Sequence, residues 1–258
     1  MRAAQQKAHT AWRVLQGLAG IVLLIGLWWL LTVPFATPGS MGQRFAPGPS
    51  LMTLVTLLQG AEIWIHIAVS LQRVAVGLGL ALLIGVPLGL LLGASAGANA
   101  TLSPAFQFLR MISPLSWMPI AVMAFGVGDR PVYFLLAFAA VWPIMLNTLA
   151  GVRQLDRRWL QLSKSLSATG WETLKGVILP GILGHVLTGT RLAIGIVWIV
   201  LVPCEMLGVS AGLGYFILDT RDRLAYHELM ATVVLIGLLG FLLDTAFRKL
   251  YEAWSKTR

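Results

Sequence analysis

The residues most capable of chemistry in this sequence are charged side chains inside strongly apolar stretches. Arg110, Arg191 and Glu205 each lie within a run of hydrophobic residues. Placing one such charge in hydrocarbon costs at least about 2.5–3.5 kcal/mol, so it needs a partner or a water-filled path. Two interpretations follow. In the first, the three residues line a translocation pathway for an anionic solute. In the second, Glu205 pairs with an arginine and holds the helices together, or the charged side chains extend to the membrane interface. Arg73 and Asp244 lie near the ends of their stretches, where we expect a structural role.

Motifs of the common catalytic sites are absent from the sequence. It contains no GxxxxGK[ST] nucleotide-binding loop, no HExxH zinc motif and no GxSxG nucleophile motif. The four histidines are scattered, and the single cysteine, Cys204, excludes an intrachain disulfide and a CxxC metal site. We therefore predict no enzyme activity, no catalytic residue, no metal and no cofactor in this chain. An intramembrane enzyme would need a nucleophile and a base on facing helices, and the sequence indicates neither.

Composition places the chain in a membrane. Of its 258 residues, 57% are hydrophobic and 11% are charged, whereas an ordinary soluble domain carries about 25% charged residues. A soluble fold has no place for this much apolar surface, so part of the solvent must be lipid. The net charge is +9. In a membrane protein an excess of lysine and arginine reflects which loops face the cytoplasm. It does not indicate nucleic-acid binding here, because the sequence contains no recognisable nucleic-acid-binding module.

Six apolar stretches are long enough to cross a bilayer. They are residues 14–34, 73–94, 103–125, 131–151, 182–208 and 229–247. About 20 helical residues cross about 30 Å of hydrocarbon, and backbone groups in lipid must be bonded within the segment. The predicted fold class is therefore all-α, a polytopic transmembrane helix bundle of about six spans that forms one domain over 1–258. The first stretch is a retained helix or a cleaved signal peptide. We expect retention, because the stretch is longer than a signal peptide's apolar core and no clear cleavage site follows.

Lysines and arginines between the spans predict the orientation. With the N-terminus inside, twelve lie in cytoplasmic pieces and four in outer pieces. The cytoplasmic set is Arg2, Lys7, Arg13, Arg153, Arg157, Arg158, Lys164, Lys175, Arg248, Lys249, Lys256 and Arg258. The outer set is Arg44, Arg130, Arg221 and Arg223. The positive-inside rule therefore places both termini in the cytoplasm.

The longest cytoplasmic loop, about 152–180, predicts one or two short amphipathic helices. Trp159, Leu162 and Leu166 recur at helical spacing among charged residues, and Leu174 and Val177 continue the pattern. Two interpretations stay open from the pattern alone. The helices lie on the membrane surface, or they form a docking surface for a soluble partner.

Small residues and prolines mark two of the spans. Gly85, Gly89 and Gly93 recur every four residues in the second span, a spacing that lets helix backbones approach closely. We expect packing within the bundle, with pairing between subunits as the alternative. Pro114 and Pro119 interrupt the third span, where they kink the helix and either line a cavity or merely bend it.

Three segments resemble permeases of bacterial ABC importers. The family's signature loop is Glu-Ala-Ala-x3-Gly-x9-Ile-x-Leu-Pro. Here Leu179-Pro180 and Val177 match its end, Ser167 stands at the glycine position, and 161–163 (Gln-Leu-Ser) stand at Glu-Ala-Ala. The stretches PLSWMPIAVMAFGVGDRPVYFLLAFAAVWPIMLNTLAGV (114–152) and LTGTRLAIGIVWIVLVPCEMLGVSAGLGYFILDTRDRL (187–224) are similar to the nitrate, sulfonate, taurine and bicarbonate branch. The resemblance covers roughly residues 60–250.

The resemblance implies a type I ABC importer permease fold in the bacterial cytoplasmic membrane and a defined assembly. It consists of two permease chains, expected to be identical, two cytoplasmic ATPase subunits that bind ATP and Mg, and a periplasmic or lipid-anchored solute-binding protein. Outer loops at 126–130 and 208–223 would receive that binding protein. A coupling helix in the 161–175 region would dock on the ATPase; its residues are Gln161, Leu162, Ser163, Lys164, Leu166, Ser167, Thr169, Gly170 and Trp171.

The predicted function is import of a small anion by alternating access, driven by ATP hydrolysis on another chain. Nitrate is the first candidate, then alkanesulfonates or taurine, then bicarbonate or cyanate. The alternative is a channel or secondary carrier that needs no ATPase. A carrier predicts an internal inverted repeat, and the two halves of the sequence show no convincing one.

Overall fold

The computed structural model describes residues 16, 19–34 and 41–256, and all regular elements in these ranges are helical. The helices are α1 (Ala19–Thr32), α2 (Met41–Arg44), α3 (Pro47–Gln59), α4 (Ala61–Ala94), α5 (Ala96–Met111), α6 (Met118–Phe125), α7 (Asp129–Gln154), α8 (Arg157–Ser165), α9 (Gly170–Thr173), α10 (Leu179–Glu205), α11 (Leu213–Asp222) and α12 (Tyr226–Lys256). A 3-10 turn (Pro114–Trp117) precedes α6, and a π-helical turn (Leu174–Ile178) joins α9 to α10.

Four helical segments of the described chain are long and apolar enough to cross a membrane. They are Ala61–Ala94, Asp129–Gln154, Gly170–Glu205 and Tyr226–Lys249. The bent pair Ala96–Met111 and Pro114–Phe125 makes a fifth if it is one span. The first predicted stretch, 14–34, falls partly outside the described residues, and α1 within it is shorter than these spans. The all-helical membrane fold is therefore confirmed, whereas the sixth span stays a prediction.

The second span was predicted too short, and short helices outside the spans were not predicted. α4 begins at Ala61 rather than at Arg73. The polar residues His66 and Arg73 lower the hydropathy of its first turns, yet both are buried in the structure. A partner for a polar side chain cannot be seen in a hydropathy pattern. Helices α3 and α11 are also absent from the prediction, because they are too short to register as spans.

The third predicted span is two helices with a sharp bend. The pair formed by α5 and the segment Pro114–Phe125 is bent by 88°. Pro114 marks the break, and Ser113 before it has the extended conformation that a following proline favours (φ −57°, ψ 131°). Pro119 does not kink a helix, contrary to the prediction. It lies in the first turn of α6, where a proline is tolerated because that N–H has no helical acceptor.

The described chain forms two compact units. One comprises the described residues up to Ile63 with Asp219–Leu235, and the other comprises Trp64–Leu218 with Ile236–Arg258. In the first, the Trp28 indole N–H donates to the carbonyl of Phe45 at 2.9 Å, and the Phe45 ring meets Tyr226 edge-on. The second unit contains the residues discussed below.

Within the second unit, α4 and α7 pack side by side in the same direction. A Cβ atom on Gly77, Gly89 or Gly93 would collide with Leu136, Thr148 or Val152, respectively. The contacts advance together along both helices, so the helices are parallel. Gly85 belongs to the same row and faces Ile144. The expected packing of the glycines within the bundle is confirmed, and α7 is their partner.

Helix α10 runs antiparallel to α7. Gly189 packs on Pro143 and Ile144 of α7, whereas Gly181, earlier on α10, packs on Leu155, later on α7. The part of α12 in this unit runs antiparallel to α10, because Trp198 bonds to the carbonyl of Ile236 and Arg191 bonds to Asp244.

These directions show how α5 and α6 connect the bundle. Since α4 and α7 are parallel, the chain must return from the end of α4 at Ala94 to the start of α7 at Asp129. The bent α5–α6 pair makes that return, so it acts as one broken span and not as a re-entrant loop. Helices α8 and α9 lie at the α7 C-terminal end of the unit.

Candidate functional site

A network of buried polar groups lies at the opposite end of the unit from α8 and α9. We call it the Arg73 network, formed by Ser70, Arg73, Asp129, Glu205 and the backbone of 211–214. Glu205, the last residue of α10, is fully buried. Its carboxylate accepts from Arg73 at 2.7 Å, from the Ser70 hydroxyl at 2.8 Å and from the Gly214 N–H at 2.9 Å. All three contacts come from hydrogen-bond donors, and the one from Arg73 is charge-assisted.

Arg73 ties together two loops of the same unit. Its guanidinium donates to Asp129 at the start of α7 at 2.6 Å and to the carbonyl of Ala211 at 2.6 Å, in addition to Glu205. Arg73 is 3% exposed, whereas the Asp129 side chain is 50% exposed. The network therefore reaches from a dry interior to the surface. It fixes the segment before α7 against the segment between α10 and α11.

One face of α4 supplies the groups that hold the second loop. His66, Ser70 and Arg73 follow each other at helical spacing, so they share this face. The Gly212 N–H donates to His66 Nδ1 at 3.1 Å, and the Leu213 N–H donates to Ser70 Oγ at 2.9 Å. Every backbone N–H from 212 to 214 thus has a side-chain acceptor, which orders the loop.

Gly212 fits this arrangement because it has no side chain. Its φ is +120°, and a Cβ there would lie 2.5 Å from both Arg73 Nη1 and the Glu205 carboxyl carbon. Both the backbone conformation and the close approach of the ion pair therefore require glycine.

The structure brings together the two loops that the sequence assigned to binding-protein docking. Gly208 lies beside Val127, and Arg73 bonds to both loops. Val127 is 78% exposed and Leu207 is 54% exposed. The joined loops therefore present apolar side chains on a rigid base.

The three predicted pathway residues lie in three different settings. Glu205 has the ion pair that the second interpretation expected, and its partner Arg73 was predicted only as a structural residue. Arg191 pairs with Asp244 at 3.0 Å, and both side chains are about half exposed. Arg110 is exposed and lines a cavity between α5 and α7. The structure does not join the three into one site, and their role in translocation stays a prediction.

The predicted coupling helix is two helices and a turn. Residues 161–165 end α8, and Gly170 and Trp171 begin α9. Asp156 caps the start of α8, and a reciprocal capping box between Thr169 and Glu172 starts α9. The Ser163 and Thr173 hydroxyls lie 2.6 Å apart and link the helices. The sequence pattern predicted one or two short helices here, and the structure has two.

Ser167 explains one part of the family pattern in physical terms. Its φ is +54°, a left-handed conformation that glycine adopts without cost and other residues adopt at about 1–2 kcal/mol each. This is the position at which the signature loop has glycine. The chain therefore keeps the left-handed backbone conformation at this position, although it has serine where the signature loop has glycine.

The coupling segment exposes large apolar side chains. Trp159, Leu162, Leu166 and Trp171 are 58%, 49%, 73% and 69% exposed, respectively. Single exposed apolar residues are ordinary, but here three follow one another at helical spacing along α8 and its C-cap, and Trp171 lies at the start of α9. Together they form a patch suited to a partner or a membrane surface.

The fold defines the class, a polytopic all-helical membrane protein. A family model for the binding-protein-dependent transport system inner membrane component matches residues 85–256. The chain belongs to this family of ABC importer permeases.

Named relatives are permeases for several small solutes. The bicarbonate transport system permease protein CmpB of Synechococcus elongatus is 36% identical over 90% of this chain and 86% of its own length. The taurine transport system permease protein TauC of Escherichia coli is 32% identical over 89% and 85%. The nitrate import permease protein NrtB of Leptolyngbya laminosa is 36% identical over 69% and 64%.

A solved structure has the same fold. A chain of the inward-facing MetNI methionine ABC transporter superposes with a TM-score of 0.60 at 17% identity, covering 74% of this chain and 96% of that one. At this identity the likeness concerns the fold alone.

Proposed function

We propose that this permease moves a small oxyanion into the bacterial cytoplasm as half of a permease pair served by two ATPase subunits and an external solute-binding protein. Nitrate is the first candidate, followed by alkanesulfonates or taurine, and then bicarbonate or cyanate. Relatives named for nitrate, taurine and bicarbonate support this solute class. ATP and Mg belong to the ATPase subunits.

The observation that carries the proposal is the exposed apolar patch on α8, α9 and the turn between them. It lies at the end of the second unit where Arg153, Arg157 and Arg158 cluster, which the positive-inside rule assigns to the cytoplasm. Docking of an ATPase would cover Leu162 and Leu166, and closure of the ATPase pair would move this segment. The Arg73 network lies at the opposite, outer end, where its two joined loops would receive the binding protein.

The first experiment is purification of the chain by a C-terminal tag from its native host. We expect an ATPase subunit to co-purify in equal amount. Loaded binding protein should then stimulate ATP hydrolysis, with nitrate, taurine and bicarbonate tested in turn. Recovery of the chain alone, with solute flux in liposomes that lack any ATPase, would instead favour a channel or carrier.

A pair of substitutions tests the docking site. Leu162→Asp and Leu166→Asp each place a charge in the proposed apolar contact, so we expect the ATPase to be lost on purification. Lys249→Gln is the control, because it changes the charge by the same amount at the same end on an exposed residue of α12. Retention of the ATPase by both aspartate variants would contradict this location of the docking site.

A further inference from the structure

A cavity of about 240 Å³ separates α5 from α7 within the second unit. Its polar lining residues on α5 are Asn99, Ser103, Gln107 and Arg110. They recur every three to four residues, so they share one face of the helix. Phe106 lies on the same face.

The other wall of the cavity comes from α7 and carries a second arginine. Trp142 and Leu149 line it, and Arg153 closes it at the α8 end of the unit. Among the described residues, the two walls therefore contribute two guanidinium groups and no carboxylate. Among the described residues neither Arg110 nor Arg153 forms a salt bridge, so their charges are free to act on a ligand.

The remaining polar groups of the cavity offer donors. The Ser103 hydroxyl donates to Asn99 Oδ1 at 2.9 Å, which occupies the amide oxygen of Asn99 and leaves its NH2 group to the cavity. The indole N–H of Trp142 is buried and has no hydrogen-bond partner among the described residues. Trp142 is only 8% exposed. Its indole nitrogen is closed to solvent, so this N–H does not donate into the cavity.

The geometry points to an oxyanion-binding cleft between α5 and α7, with Arg110 and Arg153 as its two cationic contacts. Planar guanidinium groups bind carboxylate, phosphate and related oxyanions through paired hydrogen bonds. The cleft lies toward the α8–α9 end. Under the proposed function, on which this solute assignment rests, it would hold the anion on the cytoplasmic side before release. The same chemistry fits the phosphate of an anionic phospholipid from the inner leaflet.

The test uses the permease–ATPase complex in nanodiscs of phosphatidylcholine, without nucleotide or binding protein. Sodium nitrate, taurine and sodium bicarbonate are the probes, with sodium chloride holding the ionic strength constant. The readout is the saturable rise of the thermal unfolding midpoint, because a ligand that binds only the folded state stabilises it. We expect at least one probe to bind.

Two substitutions and a control define the cleft. Arg110→Gln and Arg153→Gln should each weaken binding about tenfold or more, which is the loss expected for one charge-assisted hydrogen bond. Arg248→Gln makes the same change on an exposed arginine of α12 outside the cleft and should leave binding unchanged.

A second arm separates the two sources of the oxyanion. The complex is reconstituted with phosphatidylglycerol, and native mass spectrometry counts the retained lipid. In one outcome the probes do not bind, the wild type and Arg248→Gln retain the lipid, and the double variant Arg110→Gln/Arg153→Gln loses it. This outcome would show that lipid phosphate occupies the cleft. If neither probe binding nor lipid retention differs between these proteins, the cleft is not an oxyanion site. That result would leave the importer assignment intact as long as the ATPase co-purifies with the chain. Failure of the ATPase to co-purify would overturn the importer assignment, and it would not bear on whether the cleft binds an oxyanion.

Discussion

Replacing Glu205 by glutamine gives the sharpest test of the Arg73 network. The substitution removes the charge opposite Arg73 and places an NH2 group among the donors from Ser70 and Gly214. Arg73 is 3% exposed and Glu205 is 0% exposed, so water cannot replace the lost partner. Breaking one member of a buried ion pair costs about 3–5 kcal/mol. Asp129 still contacts Arg73, which favours the lower half of that range.

The expected thermal shift follows from this free energy. For a protein of this size, 1 kcal/mol moves the unfolding midpoint by about 2–4 °C, so Glu205→Gln should lower it by roughly 6 °C or more. The assay is circular dichroism of the detergent-purified chain, with every variant heated at the same rate because membrane proteins unfold irreversibly. Asp219→Asn is the matched control. It removes a carboxylate that pairs with Arg223 at 2.7 Å, but those side chains are 33% and 50% exposed, and such a pair contributes about 0–1 kcal/mol.

The double variant separates the ion pair from simple loss of packing. If the two charges depend on each other, Arg73→Leu combined with Glu205→Gln should cost less than the sum of the single changes. A midpoint for Glu205→Gln no lower than that of Asp219→Asn would refute the reasoning. It would mean that Glu205 is not buried against Arg73 in the membrane, and its predicted place on a water-filled pathway would regain support.

Two further substitutions test helix packing and the solute path. Gly89→Ala should destabilise the chain by about 1–3 kcal/mol, because its Cβ would lie 2.5 Å from that of Thr148. Gly79→Ala on the same helix meets no atom within 4 Å and should be neutral or stabilising by up to about 1 kcal/mol; equal midpoints for the two would contradict the close contact of α4 and α7. Arg191→Leu should leave assembly with the ATPase intact, because its pair with Asp244 is about half exposed, and should reduce solute uptake in cells. Unchanged uptake would assign Arg191 a packing role instead.

Three features could be predicted from the amino-acid sequence: the lipid surroundings of the chain, its all-helical fold class and its family. Apolar runs near 20 residues admit only helices in lipid, since the backbone must bond within its own segment. This constraint acts within each segment, so the helical structure of each span can be predicted without knowing which helices pack together. The amphipathic segment after the fourth span was visible for the same reason, because apolar spacing along one helix is a local property.

Which charged side chains pair and where the chain bends could be seen only in the folded structure. Arg73 and Glu205 are far apart in sequence, and their pairing depends on α4 and α10 packing at matching depth. The early start of α4 was hidden because hydropathy scores His66 and Arg73 as breaks, whereas buried partners make them part of the helix. The turn at Ser167 and the glycine at 212 depend on backbone conformation, which periodicity does not encode. The cleft between α5 and α7 likewise exists only because two helical faces, each unremarkable alone, face each other across a gap.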